Sequence, residues 1–436
     1  MIEKLTKTNL YLSIALLIYV PFHAILSIWA SSIFGHYTLT RLFEEYILVM
    51  MLLIGVYLFI KDFKDQKKLF KDKLIILMVS YLALILIYSK VGYISGAVNL
   101  KASLYGILLD TRYLIYFLIV YQTIYLFNKL NLKNKIDISK IIMIPAFIVI
   151  AFGLLQVFVL PYNFLSNFGY SKETILPYQT INNNLKYIRI MSTLRGSNPL
   201  GAYLIFPISF LFIRLLNNKK DYKNYIYILA SLVVLYFSYC RSAILGLIFS
   251  IAAIYYLNIK NNKMKRVFEL CVVLIVIVSS LSFAAFRNNA YFQNIVFHTQ
   301  KNSTVKSTSD QGHSSALLSG IKEVIRHPLG NGVGYAGQAS IYNYHPAVIS
   351  ENYFLQIGEE TGVIGLLLFI AIIILVLLRL YKNKSDDFSK LMFGLTLAMI
   401  TVCMLWFALS DETLCFIFFG LLAVALSKKR INLIKE

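Results

Sequence analysis

About a dozen apolar runs, most of them divided by short connections, leave this sequence no soluble solution. They fall near 9–30, 43–60, 74–90, 104–127, 141–162, 199–216, 224–239, 242–258, 267–286, 361–381, 391–409 and 412–427. Most approach the roughly 20 residues that a helix needs to cross a bilayer. Only 14% of the 436 residues are charged and 58% are hydrophobic, where a soluble domain is about a quarter charged. Inside a bilayer every backbone polar group must be satisfied within the protein, which helices do by themselves. The expected fold class is an all-α integral membrane protein of about 12 transmembrane helices, forming a single polytopic domain over 1–436. No small-residue cleavage site follows the first run, so it is expected to remain as a helix.

Lysine gives the orientation. The connections 61–73, 128–140, 217–223, 259–266 and 382–390 and both termini are lysine-rich. The positive-inside rule assigns all of them to the cytoplasm, with the chain passing back and forth through the cytoplasmic membrane. The net charge of +21 is therefore juxtamembrane, and it does not form the single basic face of a nucleic-acid binder. The opposite side receives two long extracytoplasmic loops, 163–198 and 287–360. Connections beyond about 12–15 residues are usually functional or disordered. The second loop, between spans 9 and 10, runs polar from Asn288 to Gln311 and has helical periodicity from Ser314 to Ile325. A glycine-rich stretch, Gly330–Gly337, follows it. Such a pattern predicts a folded, partly helical cap.

Arginine is sorted against lysine. On this topology 24 of 31 lysines are cytoplasmic, yet seven of eleven arginines (Arg41, Arg112, Arg189, Arg195, Arg241, Arg287 and Arg326) lie on or near the outer side. A guanidinium grips phosphate with two bonds and keeps its charge when partly buried. The set points to a phosphate-bearing ligand at the outer face. For any one arginine the competing reading is an interfacial anchor or an ion pair. Asp110 and Arg112 lie inside the fourth run, where charges are functional candidates or pair with each other or a neighbouring helix. Cys240, Cys271, Cys403 and Cys415 show no metal-ligand spacing, and neither the acids nor the histidines cluster as metal ligands. No metal and no cofactor are expected.

Three stretches stand out. The first, Arg195-Gly-Ser-Asn198-Pro-Leu-Gly201, closes the first long loop and opens a span; a helix N-terminus behind Arg195 favours an anion. The second, Ser238-Tyr-Cys-Arg241-Ser-Ala-Ile-Leu-Gly246, puts an arginine in a tight turn between spans. The third holds Gly312-His313, His327-Pro-Leu-Gly-Asn-Gly-Val-Gly334, Glu351-Asn352-Tyr-Phe-Leu-Gln356 and Glu359-Glu-Thr-Gly362. Singly these read as a helix cap, an interfacial anchor and turn glycines. In this order, and on these loops, they resemble the O-antigen ligase/polymerase superfamily of bacterial membrane glycosyltransferases over roughly 190–370.

The resemblance implies a helical membrane domain with a cleft covered by a large outer loop. There, glycans carried on polyprenyl diphosphate are transferred to a hydroxyl acceptor. It assigns Arg195 and Arg241 to the diphosphate. His313 falls where many members carry an arginine. Glu351 replaces the histidine that lipid A–core ligases have before the Asn-x-aromatic-Leu run, a departure that favours the polymerase branch. The expected activity is metal-independent polymerisation of lipid-linked repeat units into O-antigen, capsule or exopolysaccharide. Catalytic candidates are Glu351 as base, with Arg195 and Arg241 stabilising the leaving diphosphate and His313, His345 and His327 in reserve. Asn198, Arg326, Asn352, Tyr335 and Arg287 are the candidate substrate contacts. Helix capping is the competing role for Glu351. Expected partners are the lipid-linked donor and acceptor and membrane lipids, with a chain-length regulator and a flippase as candidates and no nucleic acid. A ligase is the alternative within the superfamily; a lipid-linked oligosaccharide transporter is the alternative outside it.

Overall fold

Each apolar run forms a helix, and polar residues at the boundaries start many of them. The structure is a computed structural model that describes residues 1–132, 136–181, 184–286 and 309–427. The helices are α1 (Ile2–Phe34, with a 3-10 turn at Val20–Phe22), α2 (Phe43–Lys61), α3 (Lys73–Ile94) and α4 (Leu100–Lys129). They continue with α5 (Ile138–Phe158), α6 (Ser197–Asn217), α7 (Tyr222–Ser238), α8 (Arg241–Asn258) and α9 (Asn262–Phe286). The loop helix α10 (Ser309–Arg326) is followed by α11 (Tyr353–Lys382), α12 (Asp387–Leu405) and α13 (Glu412–Leu426). Asp72, Asn99, Asp137, Asn352, Asp386 and Asp411 each cap a helix by accepting a first-turn N–H, which satisfies donors that have no intrahelical partner.

The protein is an all-α integral membrane protein. Among the described residues nine helical segments are long and apolar enough to cross a bilayer. Helices α7 and α13 are shorter, at 17 and 15 residues. Helices α6 and α4 are central: 83% and 67% of their apolar windows are buried, against 28% in α5, α8 and α11, whose remaining apolar faces are left for lipid. The core is aromatic where α4 meets α11 and α13. Tyr113, Tyr116, Tyr353 and Phe416 are fully buried there, and Tyr353 Oη donates to Tyr113 Oη at 3.1 Å.

The long connections are built structure. In 163–198, strand β1 (Gln179–Ile181) pairs antiparallel with β2 (Asn184–Arg189). The Asn182–Asn184 run lies partly outside the described residues, and Arg287 and the polar stretch from 288 lie outside them as far as 308. The glycine-rich segment does more than turn. It threads between α3, α4 and α11 as a strap. Asn331 and Gly332 donate their N–H groups to the Glu359 and Glu360 carbonyls at 2.8 and 2.9 Å, and Val363 N donates to Pro328 O at 2.9 Å. A side chain on Gly332 would fall 2.3 Å from Gly92 Cα, and one on Gly334 2.4 Å from Ala102 O. Close backbone approach is what demands glycine here.

The strap also explains a break in α11. Gly362 takes φ 65°, ψ −169° within the helix, where Pro328 and Leu329 pass so close that a Cβ would lie 2.4 Å from Pro328 O. The helical part therefore begins at Tyr353, ahead of the apolar run at 361–381, and Glu359 and Glu360 face the strap. Glu360 Oε1 accepts the Gly334 N–H at 2.9 Å, and its carboxyl lies beside that of Asp110 on α4. Asp110 thus meets the strapped end of α11, while the Arg112 guanidinium is paired with Glu45.

Candidate functional site

The ion cluster is assembled from short polar entries into helices at the end of the bundle that carries the long connections. Asp411-Glu412 opens α13, Glu44-Glu45 opens α2, and Arg195 precedes α6. Arg112 on α4 is sealed among them. Its Nη1 donates to Glu45 Oε1 at 3.0 Å and its Nη2 to Ser410 O at 2.6 Å, with Glu412 Oε2 3.9 Å away. Arg195 approaches the same carboxylate from the other side, Nη1 to Glu412 Oε2 being 3.5 Å. His23 Nδ1 lies 2.8 Å from Glu44 Oε2. Nearby, Arg41 Nη2 donates to Tyr105 Oη at 2.6 Å.

Exposure separates the two arginines that share Glu412. The Arg112 side chain is 3% exposed and Glu412 is 6%, whereas Arg195 is 28% exposed. Arg195 is the cation that a ligand can reach, with the acid behind it fixing its orientation. Burial works against its charge, but Glu412, then Tyr105 and Tyr37, hold its pKa above the ordinary arginine value. It stays a cation, as a diphosphate grip requires.

The N-terminus of α6 behind Arg195 is partly occupied by the protein itself. Gln179 of β1 accepts from Ser197 N at 3.1 Å and from Ser197 Oγ at 2.6 Å, which takes up the first of the helix's N–H groups. Asn198, a candidate substrate contact, works as a bracket: its Oδ1 accepts from Arg189 Nη2 at 2.6 Å. Arg189 Nε also donates to Ser238 O at 3.1 Å. Through Arg189 the Arg195 stretch and the Arg241 stretch are fastened side by side. Arg241 is the first residue of α8, and the turn before it packs so tightly on α6 that a Cβ on Gly201 would lie 2.5 Å from Cys240 Cβ.

The large loop supplies Glu351 in a strained position. Its φ is 51°, a conformation that a residue with a Cβ adopts at a cost. The capping role falls to its neighbour: Asn352 Oδ1 accepts from Leu355 N at 3.0 Å. Asn352 Nδ2 donates to Met404 O at 2.9 Å, so the Asn352 expected at the substrate ties the loop to the end of α12, beside the segment that carries Ser410 and Glu412. Tyr335 donates to Glu323 Oε1 at 2.9 Å and packs at a tilt against His345, 4.7 Å between centroids. Burial, then the Glu323 hydrogen bond, pushes Tyr335 up to about 12. Arg326 is exposed at the end of α10, and His327 Nε2 lies 3.7 Å from Glu323 Oε1. His313 falls within α10, with its side chain outside the described residues, as is all of Arg287.

Sequence reasoning missed Glu45, Glu412 and His23, and it named Arg189 only as one of the outer arginines. The signal was present, since ionisable residues at the edges of apolar runs are functional candidates by default. Glu44-Glu45 and Asp411-Glu412 looked like ordinary helix starts. Among the described residues no group of three or more His, Cys, Asp or Glu is arranged to hold a metal ion.

The helices and the cluster define a polytopic membrane protein with a buried ionic centre against which the partly exposed Arg195 is held. Residues 226–370 match the protein family described as O-antigen ligase. An O-antigen polymerase of Salmonella muenchen is 26% identical over 151 residues, which are 34% of this chain and 37% of that protein. The chain thus spans little more than a third of that relative's length. Both findings support the O-antigen ligase/polymerase superfamily, the likeness that the order of the three stretches carries.

Proposed function

We propose that this protein is a glycosyltransferase that polymerises polyprenyl-diphosphate-linked oligosaccharide at the outer face of the cytoplasmic membrane, with both termini cytoplasmic. The observation that carries the reading is the reachable Arg195 held against the sealed Glu412–Arg112 pair. A fixed cation in a water-poor cleft stabilises a leaving diphosphate without reorganising, and loss of one such donor typically costs about 10²–10³ in rate. Arg241, at the N-terminus of α8, is the second diphosphate contact.

In the reaction, the acceptor sugar hydroxyl attacks the anomeric carbon of the donor. The bond from that carbon to the diphosphate oxygen breaks, and the electron pair leaves with the diphosphate. The hydroxyl proton passes to Glu351, which the strained loop end presents beside the α12–α13 connection. No metal takes part in this scheme. The strap through α3, α4 and α11 keeps the loop in place over the cleft and excludes water.

The ligase reading draws support from the description of the matching family, and the polymerase reading from Glu351 and from the Salmonella relative. Reconstitution with a lipid-linked repeat unit as both donor and acceptor separates them. A ladder of longer lipid-linked products is expected. Transfer only to a different lipid or protein acceptor would favour the ligase, and translocation without new glycosidic bonds would sink the enzyme reading.

A further inference from the structure

A cavity of about 390 Å³ opens beneath the hairpin β1–β2, between the ends of α5 and α7. Sites for small molecules commonly enclose about 300–1,000 Å³. Its wall is amphipathic: Tyr162, Tyr178, Phe237 and Tyr239 supply aromatic faces, and Lys186 and Arg189 supply donors. Tyr162 and Tyr178 meet edge to face at 5.0 Å, which leaves ring faces for a ligand. Arg189 uses Nε and Nη2 on Ser238 and Asn198, so its Nη1 donors remain for a ligand.

The backbone around the cavity is strained. Tyr239 has φ 51°, and Ser192, next to the lining residue Met191, has φ 50°. They are two of four such non-glycine residues among those described. Conformations of this kind persist where the surroundings over-determine them, often at binding sites. The strain at Tyr239 also fixes where the cavity lies relative to the site. Tyr239 is two residues before Arg241, within about 8 Å of backbone, and Arg189 bridges to Asn198, three residues after Arg195.

We infer that this cavity binds a saccharide, and that it receives the glycan portion of a lipid-linked substrate whose diphosphate lies at Arg195 and Arg241. Sugar rings present one face of C–H groups and a rim of hydroxyls. Aromatic faces edged by guanidinium and ammonium donors match both. A hydrocarbon chain would waste the donors, and a bare phosphate would not need four aromatic rings. The second half of the inference rests on the proposed function; saccharide binding itself does not.

Two readouts test it on the full-length protein in detergent or nanodiscs. The probes are the free repeat-unit oligosaccharide released from the host's own surface polysaccharide, and the same oligosaccharide on polyprenyl diphosphate. The variants are Tyr178→Ala and Tyr239→Gly; the second removes the ring at a backbone conformation that glycine prefers, so it should fold at least as well as the parent. Each is expected to weaken binding of the free oligosaccharide, and to raise the half-saturating concentration of the lipid-linked form, by about 3- to 10-fold, with binding of bare polyprenyl diphosphate unchanged. Oligosaccharide binding lost in the variants, with no laddering by the parent protein, would keep the cavity and sink the proposed function. Normal laddering and unaltered saccharide affinity in both variants would overturn the cavity and leave the function standing. An equal loss of bare polyprenyl diphosphate would also overturn it, by marking a lipid site.

Discussion

Arg195 Nη1 lies 3.5 Å from Glu412 Oε2, and the same carboxylate oxygen lies 3.9 Å from Arg112 Nη2. One acid therefore holds a sealed arginine on one side and a reachable one on the other. Arg195→Lys keeps the charge and loses the planar fork. We expect laddering to fall by about 10²-fold or more, while the thermal midpoint in detergent shifts by only a few degrees. Retention of more than a tenth of the parent rate would remove Arg195 from the diphosphate grip.

Glu412→Gln should have the opposite profile. It leaves the sealed Arg112 and the partly exposed Arg195 without the one carboxylate within 4 Å of both. Breaking a buried pair typically costs about 3–5 kcal/mol. The variant should unfold well below the parent and below Arg195→Lys in a thermal scan. An unchanged midpoint would mean that Glu412 is not the counter-ion of both arginines.

The helices and their order were legible because they depend on local quantities: run length, the scarcity of charge, and the lysines that flank the runs. The site was legible only in part. Arg195 and Arg241 stood out by their place in the chain, but their setting depends on non-local pairings. Glu412 and Glu45 come from connections that hold no unusual motif, and nothing in the sequence joins them to Arg112. Asn198 and Asn352 were candidate substrate contacts; their protein partners, Arg189 for Asn198 and Leu355 N and Met404 O for Asn352, come from non-local packing and capping. The glycines of 330–337 resembled turn formers until Gly92 and Ala102 appeared against them, a contact between segments more than 200 residues apart.

Glu351 offers a test that separates strain from chemistry. With φ at 51°, Glu351→Gly removes a backbone penalty and should keep or raise stability by about 0.5–1 kcal/mol. Glu351→Gln keeps the strain. If the carboxylate accepts the acceptor's proton, both variants lose about 10²-fold or more of the transfer rate. Full activity in Glu351→Gln would eliminate it as the base.

A second ion pair, at the opposite end of the bundle, gives a pH dependence with a definite sign. Arg379 donates to both oxygens of Asp72, 2.9 Å from Nη1 to Oδ2, and Asp72 also caps α3. Burial works against the carboxylate, but hydrogen bonds from Arg379, Leu74 N and Tyr121 outweigh it and hold its pKa below the ordinary value. A depressed carboxyl stabilises the fold above its unfolded pKa of about 3.9, and this contribution is lost as pH falls through the folded value. Asp72→Asn should therefore lower the thermal midpoint at pH 7, and its difference from the parent should shrink below about pH 4. A constant gap across that window would assign the effect to the lost cap alone.

The strap can be tested at Gly334, whose φ is 93° and whose added Cβ would fall 2.4 Å from Ala102 O. Backbone atoms cannot swing aside as a side-chain tip does, so Gly334→Ala combines left-handed strain of about 1–3 kcal/mol with a clash that must push the strap out of the α3–α4 groove. Its hydrogen bond to Glu360 would go with it, leaving that carboxyl and Asp110 buried with one fewer donor. Gly96→Ala is the control, since Gly96 has φ 75° but no neighbour within 4 Å of an added Cβ; it carries the strain without the clash. Limited proteolysis within 287–360 should accelerate in Gly334→Ala by more than tenfold relative to Gly96→Ala, with laddering lost alongside. Equal cleavage rates in the two variants would mean that the strap is not held by this contact.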